Sequence, residues 1–284
     1  MPSGTVVPMI LTPTTVRALL ADHDLSPNRA LGQHFLADPN TARRIARLAD
    51  LEPGAHVLEI GPGLGSLTVA LAETGAHVVA LELDARLVPL LESTVAGSGD
   101  VTVVQGDALH VDVASLGPGP WACVSNLPYN IATPVVVRLL EDAPSVETLL
   151  VMTQREVGER LAARPGDRAA GAVSAKVSYY AEARVVGAVP PTVFVPAPHV
   201  ESVLVRFVRR ATPPVRVADP DRLFALVRAG FAQRRKMLRG ALRPVLGART
   251  DAVLTTAGVA PSARAETLTI DDWAGLAEAV GSRP

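Results

Sequence analysis

A doubly wound α/β domain followed by a small all-α domain is the fold this chain predicts. Three observations predict it. Short β runs recur through the first two-thirds of the 284 residues, helical or glycine-rich segments separate them, and the pattern turns helical from Asp221 onward. A strand, a glycine turn, a helix and a second strand in succession make a βαβ unit, which builds a parallel sheet. With 48% hydrophobic and 19% charged residues, the chain can bury the core of one large domain and one smaller one.

The elements follow in order. Residues 1–27 are rich in proline and threonine, with one short helical stretch from Val16 to Ala21, and read as a flexible or loosely docked lead. Asn40 to Ala49 is helical, because Ala42, Ile45, Ala46 and Ala49 share one face and arginines lie between them. His56 to Ile60 is a strand running into the glycine loop Gly61-Pro62-Gly63-Leu64-Gly65. Leu67 to Glu73 is the following helix, and His77 to Leu83 is the second strand. Further strands fall at Val101–Val104, Ala122–Ser125, Thr148–Met152, Ala183–Ala188 and Ser202–Val208. The proline-containing stretch between Arg209 and Pro220 has the composition of a linker. The main domain therefore spans 28–210 and a helical domain 219–284, whose last helix opens on the cap-like Thr269-Ile270-Asp271-Asp272.

Composition narrows the chemistry. Cys123 is the single cysteine, inside an apolar run, so neither an intramolecular disulfide nor a cysteine-based metal site is available. The six histidines are scattered, and no metal is expected. No apolar run is long enough to span a membrane and no signal peptide is visible, so a cytoplasmic monomer without a membrane partner is expected. The net charge is −1, yet Ser202–Ala218 carries four arginines and no acid, and Arg228–Arg243 carries six basic residues and no acid. Such stripes point the carboxyl-terminal third toward a polyanion.

The glycine loop after a strand lets a ligand approach the backbone and the next helix closely. Glu82, at the end of the second strand, is placed to accept hydrogen bonds from both hydroxyls of a ribose. Asp107, after the next strand, can accept from an adenine amino group. A dinucleotide fingerprint requires glycine or alanine where Ser66 stands, which disfavours NAD and an oxidoreductase. Glycine loop, Glu82 and Asp107 together point to S-adenosylmethionine.

The tetrapeptide Asn126-Leu127-Pro128-Tyr129 then supplies a socket for an amino-bearing base. An adenine amino nitrogen is a poor nucleophile, since its lone pair is delocalised into the ring. The Asn126 side-chain oxygen and the Leu127 carbonyl can accept its two N–H groups and aim the lone pair, so positioning replaces a strong base. Pro128 fixes the backbone, and Tyr129 can stack on the purine. Cys123 would suit a C5-pyrimidine methyltransferase only at a loop tip, and it lies within a strand.

These residues resemble the ribosomal RNA adenine N6-dimethyltransferases, in particular the bacterial small-subunit branch, across almost the whole chain. The resemblance runs through Leu31-Gly32-Gln33-His34-Phe35-Leu36, Glu59 to Gly65, Glu82-Leu83-Asp84, Gly106-Asp107-Ala108, Asn126 to Tyr129, Gln154 to Val157, Phe194 to Ser202 and Gln233-Arg234-Arg235-Lys236. It implies a class I, Rossmann-like methyltransferase fold and dimethylation of two adjacent adenosines in the 3′-terminal hairpin loop of small-subunit ribosomal RNA, within a late precursor of the subunit. It implies that Gln33, His34, Leu36, Glu59, Gly61, Gly63, Glu82, Asp107, Ala108 and Asn126 form the cofactor site. His34 stands where many relatives have Asn. By the same resemblance Phe194 faces Tyr129 across the target base, and Arg234, Arg235, Lys236 and Arg239, on a basic helix from Phe231 to Leu242, lie along RNA. Two other functions share much of this pattern: a large-subunit adenine methyltransferase of the macrolide-resistance type, and an assembly factor that keeps the fold without the chemistry.

Overall fold

The computed structural model of the chain describes residues 9–28 and 31–281; the first eight residues of the predicted lead, with Arg29 and Ala30, lie outside them. The chain forms two compact units. The first comprises the chain up to Gly158 together with Val185–Val208, and the second comprises Glu159–Arg184 together with the chain from Arg209 on.

The first unit opens with α1 (Pro13–Asp22), longer than the predicted helix because Thr12 caps it and Pro13 occupies its first turn. From Met9 onward the lead is docked rather than loose. Val16 and Leu20 are buried with Leu11, Phe35, Leu64, Leu87 and Leu90, so α1 closes one side of the core. Next come β1 (Phe35–Leu36) and α2 (Pro39–Ala49), capped by Asp38 and burying the four alanine and isoleucine positions that its periodicity marks. β2 (His56–Ile60), α3 (Ser66–Ala72) and β3 (His77–Glu82) form the first βαβ unit; α4 (Val88–Val95) leads to β4 (Val101–Gln105). β5 (Trp121–Asn126), α5 (Ala132–Asp142) and β6 (Val146–Gln154) continue the winding.

After α6 (Arg155–Leu161) and α7 (Ala172–Tyr180), the chain adds β7 (Ala181–Val189), the short β8 (Phe194–Val195) and β9 (Ser202–Arg209). The seven-stranded sheet has the order β4-β3-β2-β5-β6-β9-β7. Its central pairs are parallel and β9 runs antiparallel to β6. β2 and β3 are buried almost throughout, as strands covered on both faces must be. β1 and β8 pair separately, Leu36 opposite Phe194.

The chain steps outward from β2 to β4 and then returns to β5 on the other side of β2. Strand order reverses there, and ligand clefts of open α/β sheets form outside the carboxyl ends at such a point. The β2–β5 register runs as far as Leu58 opposite Cys123. Beyond it the Ile60 N–H goes instead to the Ser125 hydroxyl at 2.9 Å, at the mouth of the cleft.

The second unit contains α8 (Pro220–Ala232), α9 (Leu238–Leu246), α10 (Thr250–Thr256) and α11 (Ile270–Gly281), joined around Leu223, Leu226, Leu238, Leu242, Leu254 and Trp273. Composition predicts a boundary at the proline-containing linker and leaves residues 159–184 with the sheet. In the structure that segment joins the helices, because Tyr179 and Tyr180 of α7 pack on Phe224 with ring centroids 5.4 and 6.0 Å apart. The predicted basic helix from Phe231 to Leu242 is also interrupted. Gln233–Met237 forms a turn, after which the N–H groups of Leu238 and Arg239 bond to the carbonyls of Ala263 and Pro261, so α9 starts afresh. The Thr269–Asp272 cap of α11 is present, with both side chains bonded to each other's backbone N–H. Among the described residues no helix is long and apolar enough to cross a membrane.

Candidate active site

Carboxyl-terminal strand ends deliver the chemistry to one cavity in the first unit. Gln33, His34, Leu36, Glu59, Gly61, Gly63, Glu82, Asp107, Ala108 and the whole of Asn126–Tyr129 line it. The glycine loop leaves β2 with Gly61 and Gly63 at φ +68° and +57°, a region that favours glycine. A Cβ on Gly63 would sit 2.9 Å from the Phe35 ring, and one on Gly61 would sit 3.4 Å from Pro128 Cδ. The loop therefore lies close to the tetrapeptide; at Gly63 the Phe35 ring leaves no room for a side chain, and at Gly61 the positive φ rather than crowding favours glycine.

Three carboxylates face this space, each in a different state. Glu82 accepts the Gly63 N–H at 2.9 Å on one oxygen and the Asp84 N–H at 2.8 Å on the other, which fixes its plane and leaves lone pairs free. Burial raises its pKa in spite of those bonds. Asp107 accepts the Leu109 N–H and the His110 imidazole N–H, both at 2.8 Å, and the Leu109 bond leads in holding its pKa down. Glu59 is 1% exposed, and burial pushes its carboxyl up to about 8. Among the described residues its Oε2 takes no hydrogen bond.

Asn126 ends β5 with its Nδ2 donating to the His34 carbonyl at 3.2 Å. The amide is thereby turned so that Oδ1 remains available as an acceptor. The Pro128 carbonyl accepts from the N–H groups of Ile131 and Ala132, which start α5, and is thereby spent, whereas the Leu127 carbonyl takes no backbone N–H among the described residues. Tyr129 is half-buried; its ring stacks on His34 with centroids 5.4 Å apart and its hydroxyl lies 2.9 Å from Ser202 Oγ. The His34 Nδ1 donates to the Pro196 carbonyl at 2.8 Å. Gln33 is spent on structure as well as lining: its Oε1 accepts from Asn28 N and its Nε2 donates to Asp84.

Not every predicted site residue reaches the cavity. Phe194 is 3% exposed and sits in the core with Leu36, Ala42 and Leu204, because its pairing with Leu36 turns it inward. Arg234, Arg235, Lys236 and Arg239 belong to the second unit. Arg234 bonds Glu266 at 3.2 Å and the Arg168 carbonyl, and Arg239 bonds Asp251 at 2.6 Å. Arg235 and Lys236 are exposed.

Sequence reasoning missed Arg138. It projects from α5 and donates to the carbonyls of Ala108 and Val111, both at 2.7 Å, clamping the loop that carries Asp107. No local pattern marks it, since its partners lie about thirty residues upstream. Asp84 stands two residues past the end of β3, where it receives Gln33 and Arg86, the Arg86 bond chiefly lowering its pKa to about 2.

The chain that builds this cavity, with carboxylates at the ends of β2, β3 and β4 and an oriented amide at the end of β5, matches a family profile in sequence. The profile of the family described as ribosomal RNA adenine dimethylase covers residues 25–281. The chain belongs to this family. Among its relatives is a ribosomal RNA small subunit methyltransferase A from Thermobifida fusca, 50% identical across 95% of this chain and 96% of the relative. One of the same name from Streptomyces griseus is 44% identical across 97% of each. The crystal structure of the 23S rRNA methyltransferase ErmE superposes with a TM-score of 0.68 at 32% identity, over 87% of this chain and all of that one. A dimethyladenosine transferase from Plasmodium falciparum shares the fold, with a TM-score of 0.70 at 24% identity over 86% and 96% of the two chains.

As a member of this family the protein is an S-adenosylmethionine-dependent ribosomal RNA adenine dimethyltransferase. The cavity fits that donor chemically. Its described lining contains the carboxylates Glu82 and Asp107 and neither lysine nor arginine, a setting suited to a ligand bearing a sulfonium and an ammonium.

Proposed function

We propose that this chain carries out N6,N6-dimethylation of two adjacent adenosines in the 3′-terminal hairpin loop of small-subunit ribosomal RNA, on a late precursor of the subunit, acting as a cytoplasmic monomer without a metal. The observation that carries the proposal is the Asn126 amide held by the His34 carbonyl, which leaves its oxygen as an acceptor; the Leu127 carbonyl is assigned as the second. Those two oxygens take the two N–H groups of an adenine amine, draw its nitrogen toward tetrahedral geometry and direct its lone pair into the cavity. Tyr129 stacks on the base.

Glu82 holds the ribose of the donor, Asp107 its adenine amino group, and His34, Leu36, Gly61, Gly63 and Ala108 complete its contacts. S-adenosylmethionine supplies an electrophilic methyl group. The tetrapeptide needs no base, because the amine becomes acidic only once it is alkylated and then loses its proton to water. Arg235 and Lys236, with Arg234 and Arg239, face RNA phosphates, which set affinity rather than sequence choice.

Similarity to the 23S rRNA methyltransferase keeps a second substrate in view, but the greater identity to small-subunit relatives favours the small subunit. Incubating the protein with methyl-labelled donor and purified subunits from an unmodified strain tests the choice. Label in the small subunit alone, mapped by primer extension to two neighbouring adenosines, is expected. Label confined to the large subunit would reverse it, and binding to small subunits without any transfer would reduce the protein to an assembly factor.

A further inference from the structure

The segment Phe194–Ser202 enters the chain's motifs as a unit, yet its leading aromatic is buried in the core. Its other end reaches the site. Ser202 opens β9, is wholly buried, and pairs with Gln154 across the antiparallel β6–β9 ladder. Its Oγ lies 2.9 Å from the Tyr129 hydroxyl. Since β6 separates β5 from β9 in the sheet, Tyr129 reaches across one whole strand to make this bond.

We infer that Ser202 is a positioning residue for methyl transfer, holding the Tyr129 ring in the plane on which the target adenine stacks. The inference rests on the proposed stacking role of Tyr129. A phenol ring at the end of a turn can change rotamer at both side-chain torsions unless something holds its far end. Here two contacts hold it. The Ser202 hydroxyl fixes the ring's tip, and the His34 imidazole, itself tied to the Pro196 carbonyl, lies against its face at an interplanar angle of 29°.

Both anchors draw on the segment that includes Pro196 and Ser202. The strand ladder itself needs no hydroxyl at position 202, because backbone groups make the β6–β9 pairing. Burial also raises the Tyr129 pKa, so the phenol keeps its proton at neutral pH and remains able to donate. A ring set in advance spares the bound base the cost of ordering it, and small misplacements of a positioning group slow transfer steeply.

A double-mutant cycle on the full chain tests this, using unmodified small subunits and single-turnover methyl transfer. Ser202→Ala and Tyr129→Phe, which keeps the ring but removes its hydroxyl, are each expected to slow transfer by about tenfold while leaving donor affinity within about twofold. The double variant should be no slower than Tyr129→Phe alone, because both changes remove one bond. Ser202→Thr, which retains the hydroxyl, should recover most of the rate. Multiplying losses in the double variant, or donor affinity falling in parallel with rate, would show that Ser202 serves the strand and not the ring. Should Ser202→Ala fail to fold, Tyr129→Phe decides alone, and a wild-type rate there overturns the inference. Label from the wild type on large subunits only would refute the substrate assignment instead, and the cycle would then be run on those particles.

Discussion

The Arg138 guanidinium on α5 donates to the carbonyl of Ala108, one residue past the acid that faces the cofactor cavity, and to that of Val111, each at 2.7 Å. Helix α5 begins directly after the tetrapeptide, so this one side chain joins the base socket to the loop holding Asp107. Both bonds are charge-assisted, each worth roughly 1.5–3 kcal/mol when intact. Arg138→Met keeps the apolar stem and removes both. Donor affinity measured by calorimetry should fall about tenfold, with the transfer rate at saturating donor changed by less than about twofold. An unchanged affinity would show that the loop holds its shape without the clamp.

Asn126 is expected to behave in the opposite way. Asn126→Ala deletes one of the two acceptors proposed for the target amine, and transfer should drop by about a hundredfold or more. RNA binding should stay near the wild-type level, because it depends on basic surfaces. Asn126→Asp is the sharper variant: a carboxylate cannot donate to the His34 carbonyl, so the group loses the bond that orients it. Rate and RNA affinity falling together in either variant would mean that Asn126 supports the fold.

The sequence made the parallel core legible because β2, β3 and β5 are apolar runs bounded by glycine or by the site itself, a pattern set by burial on both faces. It revealed the glycine loop, Glu82, Asp107 and the tetrapeptide for the same reason, each standing at a strand end. What it hid depends on distant partners. β1 and β8 are two residues each and exist only because Leu36 meets Phe194, 158 positions away; that pairing is also what removes Phe194 from the cavity. The break at Gln233–Met237 has no glycine or proline to announce it, and is made by carbonyls from Pro261 and Ala263.

Glu59 gives the apoprotein a pH dependence of known sign. Its ordinary pKa of 4.5 rises in the fold to about 8, chiefly through burial, with the nearby Glu82 charge adding to it. Between those values the folded chain keeps a proton that the unfolded chain has released, so stability is full below about 4.5 and declines as pH climbs toward 8. The slope is on the order of 1 kcal/mol for each pH unit inside the window. Glu59→Gln imitates the protonated acid at every pH. Urea titrations at several pH values should show the wild-type midpoint falling relative to that of the variant, and parallel pH profiles for the two would exclude Glu59 as the source.

The basic turn of the second unit separates charges that look equivalent in the sequence. Arg234 is committed to Glu266 and the Arg168 carbonyl, and Arg239 to Asp251, whereas Arg235 and Lys236 are exposed on the same turn with no such acid among the described residues. A cation already paired offers less to a phosphate than one facing water. Arg235→Glu with Lys236→Glu should therefore weaken binding to small-subunit RNA by more than about tenfold and lower the slope of log affinity against log salt by about two, one for each lost contact. Arg239→Ala should weaken RNA binding less, since the Arg239 charge is already largely met by Asp251. Donor affinity should be unaffected in both, because the donor cavity is lined by the first unit alone. Filter binding across a salt series reads the slopes, and equal slopes for the two variants would show that the internal pairs open when RNA arrives.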